Sequence, residues 1–313
     1  MATATVLSRP GITTRQSRPG ERLVVALLLF CAVASVLVTV GIVAVLASET
    51  ITFFGKIDVL DFLTGTKWAP IGGRAEGGEF GVLPLLNGTL MIAVGSLVVA
   101  VPLGMATAVY LSEYATPRVR SVLKPTLEVL AGIPTVVVGF FALNFVTPTL
   151  LRSLFGADRV FIFNAAAGAI AVGLLILPLI ASISEDAMRA VPQSLREAAF
   201  GMGATKRVVA LRVVIPAALS GIVASVILGF SRAVGETMAV AIAAGNTPNI
   251  TASFFESIQT LTAYIAQTVG GETAAGTTRY QSLFAVGTTL FVITLAMNLV
   301  SVRLVRRYRQ AYQ

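Results

Sequence analysis

Six stretches of the chain are apolar over the length of a membrane-crossing helix, with the polar residues gathered between them: Leu23–Leu46, Leu85–Leu111, Pro125–Leu150, Phe163–Ser184, Pro216–Ala244 and Ser282–Leu304. A helix needs about 20 such residues to cross a ~30 Å hydrocarbon core. The apolar residues run continuously instead of alternating over ten-residue segments. That pattern predicts a helical bundle and excludes an outer-membrane barrel. Leu23–Leu46 is too long for a signal-peptide core, and no small-residue cleavage site follows it. The predicted fold class is all-α, a polytopic membrane protein with six transmembrane helices.

Composition agrees. Of 313 residues 56% are hydrophobic and only 12% are charged, against about 25% charged in soluble domains. Mean hydropathy is +0.86. A soluble enzyme is excluded on this ground. The absence of histidine removes the commonest general base and metal ligand. The single Cys31 lies in an apolar run and reads as a small hydrophobe. No cofactor and no metal are expected.

The net charge of +8 reads as an orientation signal once the basic residues are placed. Sixteen of the 23 Lys and Arg lie in residues 1–22, 112–124, 185–215 and 303–313. Six lie on the opposite flanks, and Arg232 lies within a span. The positive-inside rule puts the first set, and both termini, in the cytoplasm of a bacterial inner-membrane protein. A nucleic-acid partner is not expected. The predicted organisation is a cytoplasmic tail 1–22, a first transmembrane helix 23–46, an outer loop 47–84, a five-span core 85–304 and a tail 305–313. A cytoplasmic hairpin of about 185–215 lies within the core.

Individual segments carry further expectations. In the outer loop, Phe53, Phe54, Phe62 and Trp68 suit a water–lipid boundary, and the glycine-rich stretch Gly72–Gly78 reads as flexible. Phe254, Phe255, Ile258, Leu261 and Ile265 fall at helical spacing and predict a short amphipathic helix on the outer surface. Gly221, Ser225, Gly229 and Ala233 form a small-residue stripe suited to close helix packing. Glu128 is expected at the N-terminus of the third span. In the hairpin, Ser194-x-x-Glu197 has the spacing of a capping box. Gly201 and Gly203 stop that helix and Thr205 can cap a second one. Such a protrusion is longer than a connector needs, so something outside the membrane should touch it.

Arg232 and Glu236, four residues apart, fall about 40° apart on one face of a continuous helix. An intramembrane arginine costs at least ~2.5–3.5 kcal/mol on insertion scales. Two readings are open. One is a structural ion pair; the other is an anion path in which the guanidinium offers forked donors to phosphate or carboxylate oxygens and Glu236 compensates it when empty. No nucleotide-binding phosphate loop occurs in the chain, so ATP hydrolysis belongs elsewhere.

Glu197-Ala198-Ala199, with Gly203 six residues after the Glu and Pro216 nineteen after it, resembles the EAA loop of type I ABC-importer permeases. Val213 and Ile215 stand where that family has Ile and Leu. The run Ser231-Arg232-Ala233-Val234-Gly235-Glu236-Thr237-Met238-Ala239-Val240, followed by Gly245-Asn246, resembles the fifth-span signature of the PstC-type permeases of phosphate importers. Leu130–Gly139 and Asn87-Gly88-Thr89-Leu90 agree with it. The resemblance covers about residues 80–305. It implies a MetI-like five-span core and inorganic phosphate as substrate. It also implies a PstA-type second permease, two copies of a cytoplasmic ATPase subunit and an extracytoplasmic phosphate-binding protein. Glu197, Ala198, Ala199 and Gly203 would couple to the ATPase, and Arg232 and Glu236 would line the substrate path. A permease for sulfate or molybdate is disfavoured by the fifth-span run. An ion-coupled secondary transporter is disfavoured by the hairpin, since it has no ATPase to dock.

Overall fold

The computed structural model describes residues 19–70, 78–271, 273–274 and 276–308. Most of the predicted tail 1–22, the Gly72–Gly77 part of the glycine-rich stretch, and the tail from residue 309 lie outside the described residues. The chain divides into two units, residues 1–48 and 49–313. In the first, the described residues belong to α1, Pro19–Phe54, whose apolar side chains are exposed on every face from Leu23 to Val45. That suits a helix surrounded by lipid.

The second unit begins with the end of α1 and continues through α2 (Val59–Thr64) and a two-stranded antiparallel ribbon, β1 (Trp68–Ala69) and β2 (Glu79–Phe80). The long helix α3 (Leu83–Val109) ends in a π-helical turn, Tyr110–Tyr114. Then come α4 (Pro117–Ala131), α5 (Thr135–Phe141), a π-helical stretch Ala142–Leu151 and α6 (Arg152–Phe155). The central helix is α7 (Ala165–Arg189), followed by α8 (Gln193–Gly201), α9 (Lys206–Val209), a π turn Ala210–Val214 and α10 (Ile215–Ala217). The chain closes with α11 (Leu219–Val234), α12 (Met238–Ala243), α13 (Leu261–Gly270) and α14 (Thr278–Tyr308). Among the described residues, five helices are long and apolar enough to cross a membrane, and a sixth span is available if the pair Lys206–Ala217 and Leu219–Val234, bent by 71°, counts as one. The all-helical polytopic expectation holds.

The core lies between α3 and α7, the most extensive helix pair in the second unit. Along α7, Ala165, Gly168, Ala169, Val172, Gly173 and Ile176 are buried, so small residues alternate with branched ones and the two backbones approach closely. The small-residue stripe on α11 does what its spacing predicts. Gly221 abuts Ala187, the Ser225 and Ser184 hydroxyls share a 2.8 Å hydrogen bond, and a Cβ on Gly229 would lie 2.9 Å from Ile180.

Four local expectations are corrected. The third candidate span begins at Thr135 instead of Pro125. Gly132-Ile133-Pro134 breaks the chain there, because a proline pushes its predecessor out of the helical region and supplies no N–H. α4 is thus a separate amphipathic helix, and Glu128 sits near its C-terminal end, where a carboxylate gains nothing from the dipole. The fifth span does not run to Ala244 as one helix but ends at Val234. Residues 254–258 are not helical: helix starts only at Leu261, with Ile258, Gln259 and Thr260 buried.

The fourth correction concerns the aromatics of the outer loop. Phe53, Phe62 and Trp68 are buried and pack edge-to-face with one another, with Phe80 and with Tyr264. Such pairs stabilise beyond their area burial. The cluster is a second core and not a lipid-boundary belt.

Candidate functional site

The protruding hairpin forms at the end of the bundle where α7 stops. Glu185 and Asp186, expected in the hairpin, are instead in the last turn of α7. The turn after Arg189 delivers the chain to α8, whose N-cap is Pro192. The expected capping box does not form. Ser194 is already inside the helix, and no side chain caps its N-terminus. A capping box needs its serine at the cap position itself, and Pro192 stands there.

At its other end α8 closes as the glycine spacing predicts. Gly203 adopts φ +81°, the Ala204 N–H donates to the Ala199 carbonyl at 3.1 Å, and the Gly203 N–H donates to Phe200 at 2.9 Å. This is a Schellman motif, in which a left-handed residue lets the chain satisfy its last carbonyls. Thr205 stands at the N-cap of α9 with no side-chain cap bond. α9 is no separate helix arm; it runs on into the segment Lys206–Ala217 that leads to α11.

Of the predicted coupling residues, Glu197, Ala198 and Gly203 are exposed on the free surface beside Phe200 and Met202, and Met202 is 89% exposed. Ala199 is half-buried and packs toward Val191 and Val209. The other predicted pair lies at the far end of α11, about 20 Å along the helix from Leu219. The structure does not bring the two sets together.

Nor does it pair Arg232 with Glu236. α11 ends at Val234, Gly235 caps it, and Glu236 falls in the break before α12. The Glu236 carboxylate accepts from the Thr237 N–H at 3.1 Å and the Ala239 N–H at 3.4 Å, so it caps α12. Its carbonyl accepts the Thr262 hydroxyl at 2.7 Å. Arg232 is exposed, and among the described residues no carboxylate lies within salt-bridge distance of it. Same-face placement fails because it presumed a helix continuous through Gly235.

The other quoted runs build the scaffold around this break. Gly139 on α5 lies against the Ala239 backbone, where a Cβ would be 3.0 Å from Ala239 Cα. A Cβ on Gly88 would collide with the Gln259 carbonyl oxygen. Beside it, Asn87 accepts the Thr251 N–H at 3.2 Å and Thr89 accepts the Leu261 N–H at 3.0 Å. Asn-Gly-Thr thus seats the irregular chain 251–261 against α3. Irregular backbone buried inside a protein requires such internal partners.

Two charge clusters near the hairpin join residues distant in sequence. Glu185 is fully buried and receives Arg120 and Lys124, each at 2.8 Å, with Arg189 at 3.9 Å. Lys124 also pairs with Asp186. Burial alone would lower the Lys124 ammonium, but its bonds to Asp186 and Glu185 outweigh that and hold it above the ordinary lysine value. Arg196, also buried, pairs with Glu113 at 3.1 Å. The signal for Arg196 was present: it lies on the same face of α8 as Leu195 and Ala199. Glu113, Arg120, Lys124, Arg189 and Arg196 line a cleft of about 720 Å³ between α4 and α8.

Residues 100–310 match the family described as the binding-protein-dependent transport system inner membrane component. The chain belongs to that family. This permease is 34% identical over 288 residues to the "Probable ABC transporter permease protein YqgH" of Bacillus subtilis, covering 90% of each chain. It is 35% identical over 249 residues to the "Phosphate transport system permease protein PstC" of Mesorhizobium japonicum, covering 74% of each. A bacterial alginate ABC transporter, solved with its alginate-bound periplasmic protein, shares the fold with a TM-score of 0.62 at 17% identity, covering 92% of this permease and 96% of that chain. The chain is therefore a multi-pass inner-membrane permease subunit of an ABC importer, whose ATPase is a separate subunit.

Proposed function

We propose that this permease is the PstC-type half of the translocation path for inorganic phosphate. The observation that carries the reading is Arg232, an exposed guanidinium with no ion-pair partner among the described residues, at the break between α11 and α12 and within the run that resembles phosphate permeases. Holding an arginine there costs several kcal/mol unless water, a partner or a ligand meets it. Its forked donors match phosphate oxygens. Relatives named PstC support the substrate. Glu236 contributes to the path by fixing the turn that presents Arg232.

In this reading both termini and the hairpin face the cytoplasm. A phosphate-binding protein delivers the anion to the opposite side, and a PstA-type permease supplies the other half of the path. Two ATPase subunits close on ATP and push the hairpin, with Glu197, Ala198 and Gly203 at the contact and Ala199 holding the Schellman turn.

The test is phosphate uptake by the assembled importer carrying Arg232→Gln or Glu236→Gln. Arg232→Gln should assemble and lose uptake. Glu236→Gln keeps an amide oxygen to cap α12 and should retain most of it. Parental uptake by Arg232→Gln would remove the arginine from the path.

A further inference from the structure

α8 has two faces with different tasks. Its free face carries Glu197 and Ala198; its other face meets the bundle through the half-buried Leu195 and Ala199 and through one buried charged side chain, Arg196. One Nη of Arg196 donates to the Val191 carbonyl at 2.6 Å. The other donates to the Met188 carbonyl at 2.8 Å and to Glu113 Oε1 at 3.1 Å. Met188 belongs to the last turn of α7, and Glu113 to the π turn that ends α3. Arg196 and Glu113 side chains are only 11% and 8% exposed. The Ser112 hydroxyl donates to the same Glu113 oxygen at 2.8 Å and holds that carboxylate in place. A second tie leads to the same turn, since the Lys206 ammonium lies 5.1 Å from the Tyr114 ring.

We infer that the Arg196–Glu113 pair is the joint through which movement of the hairpin reaches the ends of α3 and α7. These are the two helices that pack most extensively in the core. A planar guanidinium with three fixed partners resists both sliding and rotation, which an apolar contact would allow. Largely buried, the pair is screened by salt much less than a surface pair would be. α8 therefore moves as one body with the two helix ends. Arg196 is a positioning residue: it touches neither substrate nor nucleotide. The inference rests on the hairpin being the element that meets the ATPase.

The experiment uses the complete importer in proteoliposomes and measures ATP hydrolysis and phosphate accumulated per ATP, for the parent, Arg196→Met, Arg196→Lys and Glu113→Gln. Glu113→Gln keeps an acceptor for Ser112 and guards against a variant that merely fails to fold. Arg196→Met and Glu113→Gln should hydrolyse ATP at near-parental rates yet move at least about fivefold less phosphate per ATP, the low end of ordinary coupling between sites. Arg196→Lys, with charge but no fork, should fall between. A parental ratio in Arg196→Met overturns the inference. So does a proportional fall in hydrolysis and uptake, which marks Arg196 as structural only. Gly203→Asp in the same assay tests the underlying reading separately: normal uptake from it would remove the hairpin from coupling, and the joint with it.

Discussion

Gly201 and Gly203 are two residues apart in one hairpin, yet alanine should act at them in opposite directions. At neither would a Cβ meet any heavy atom within 4 Å, so steric collision contributes nothing. Only backbone conformation is left to decide. Gly203 has φ +81°. An L-residue with a Cβ pays about 1–2 kcal/mol in the left-handed region. Gly201 is the last residue of α8 with ordinary helical geometry, where alanine is favoured over glycine by roughly 0.5–1 kcal/mol.

Local opening of the hairpin should follow. Gly203→Ala should raise it about 5–30-fold, the factor that one to two kcal/mol carries. Gly201→Ala should lower it a few-fold by the same conversion. Gly203→Asn should fall near the parent, since asparagine tolerates positive φ. Hydrogen exchange on the purified chain reads this directly, because the Gly203 and Ala204 amides are the ones bonded to Phe200 and Ala199. Equal exchange in Gly201→Ala and Gly203→Ala would refute the Schellman account of the turn.

Glu185→Gln removes the charge shared by Arg120 and Lys124. Both cations are partly exposed and can rehydrate, so the cost should be that of a charged hydrogen bond, about 1.5–3 kcal/mol, read as a lower thermal midpoint. An unchanged midpoint would show the cluster to be inert. Lys124 is held above the ordinary lysine value, so the α4–α7 contact should be at full strength below that range and weaken only as pH rises through the raised value. A spin-label distance between the two helices that lengthens before the ordinary lysine range is reached would contradict this sign. Gly88→Ala should cost about 1–3 kcal/mol by overpacking against Gln259, checked by the thermal midpoint. With Cys31 replaced, cysteines at Gly77 and Thr273 should react with an impermeant reagent outside intact cells, and those at Ser17 and Gln193 should not; labelling at Gln193 would reverse the orientation.

Periodicity and local chemistry made much of this legible before the structure. Continuous apolar runs marked the spans, and the spacing from Gly221 to Ala233 marked the packed face of α11. Gly203 could be read as a stop because few residues other than glycine close a helix with positive φ. What escaped depended on chain breaks and partners distant in sequence. Val234-Gly235-Glu236 looks helical by hydrophobicity, yet the Thr262 hydroxyl, 26 positions away, holds the Glu236 carbonyl outside a helix. Phe254, Phe255 and Ile258 have helical spacing. Their backbone instead serves α7: the Phe254 and Glu256 carbonyls accept the Ala166 and Ala165 N–H groups at its N-terminus. Trp68 reads as a boundary residue until Tyr264 is found 4.8 Å away. Spacing within one segment carries no information about such pairings.

Transport by the reconstituted importer decides whether this permease carries phosphate under the control of a separate ATPase. Proteoliposomes holding the permease with its PstA-type partner, the ATPase and the binding protein are given radiolabelled phosphate, sulfate or molybdate, with and without ATP. Phosphate alone should accumulate, and only with ATP. Accumulation of sulfate or molybdate in preference to phosphate, or phosphate uptake driven by an ion gradient without ATP, would contradict it.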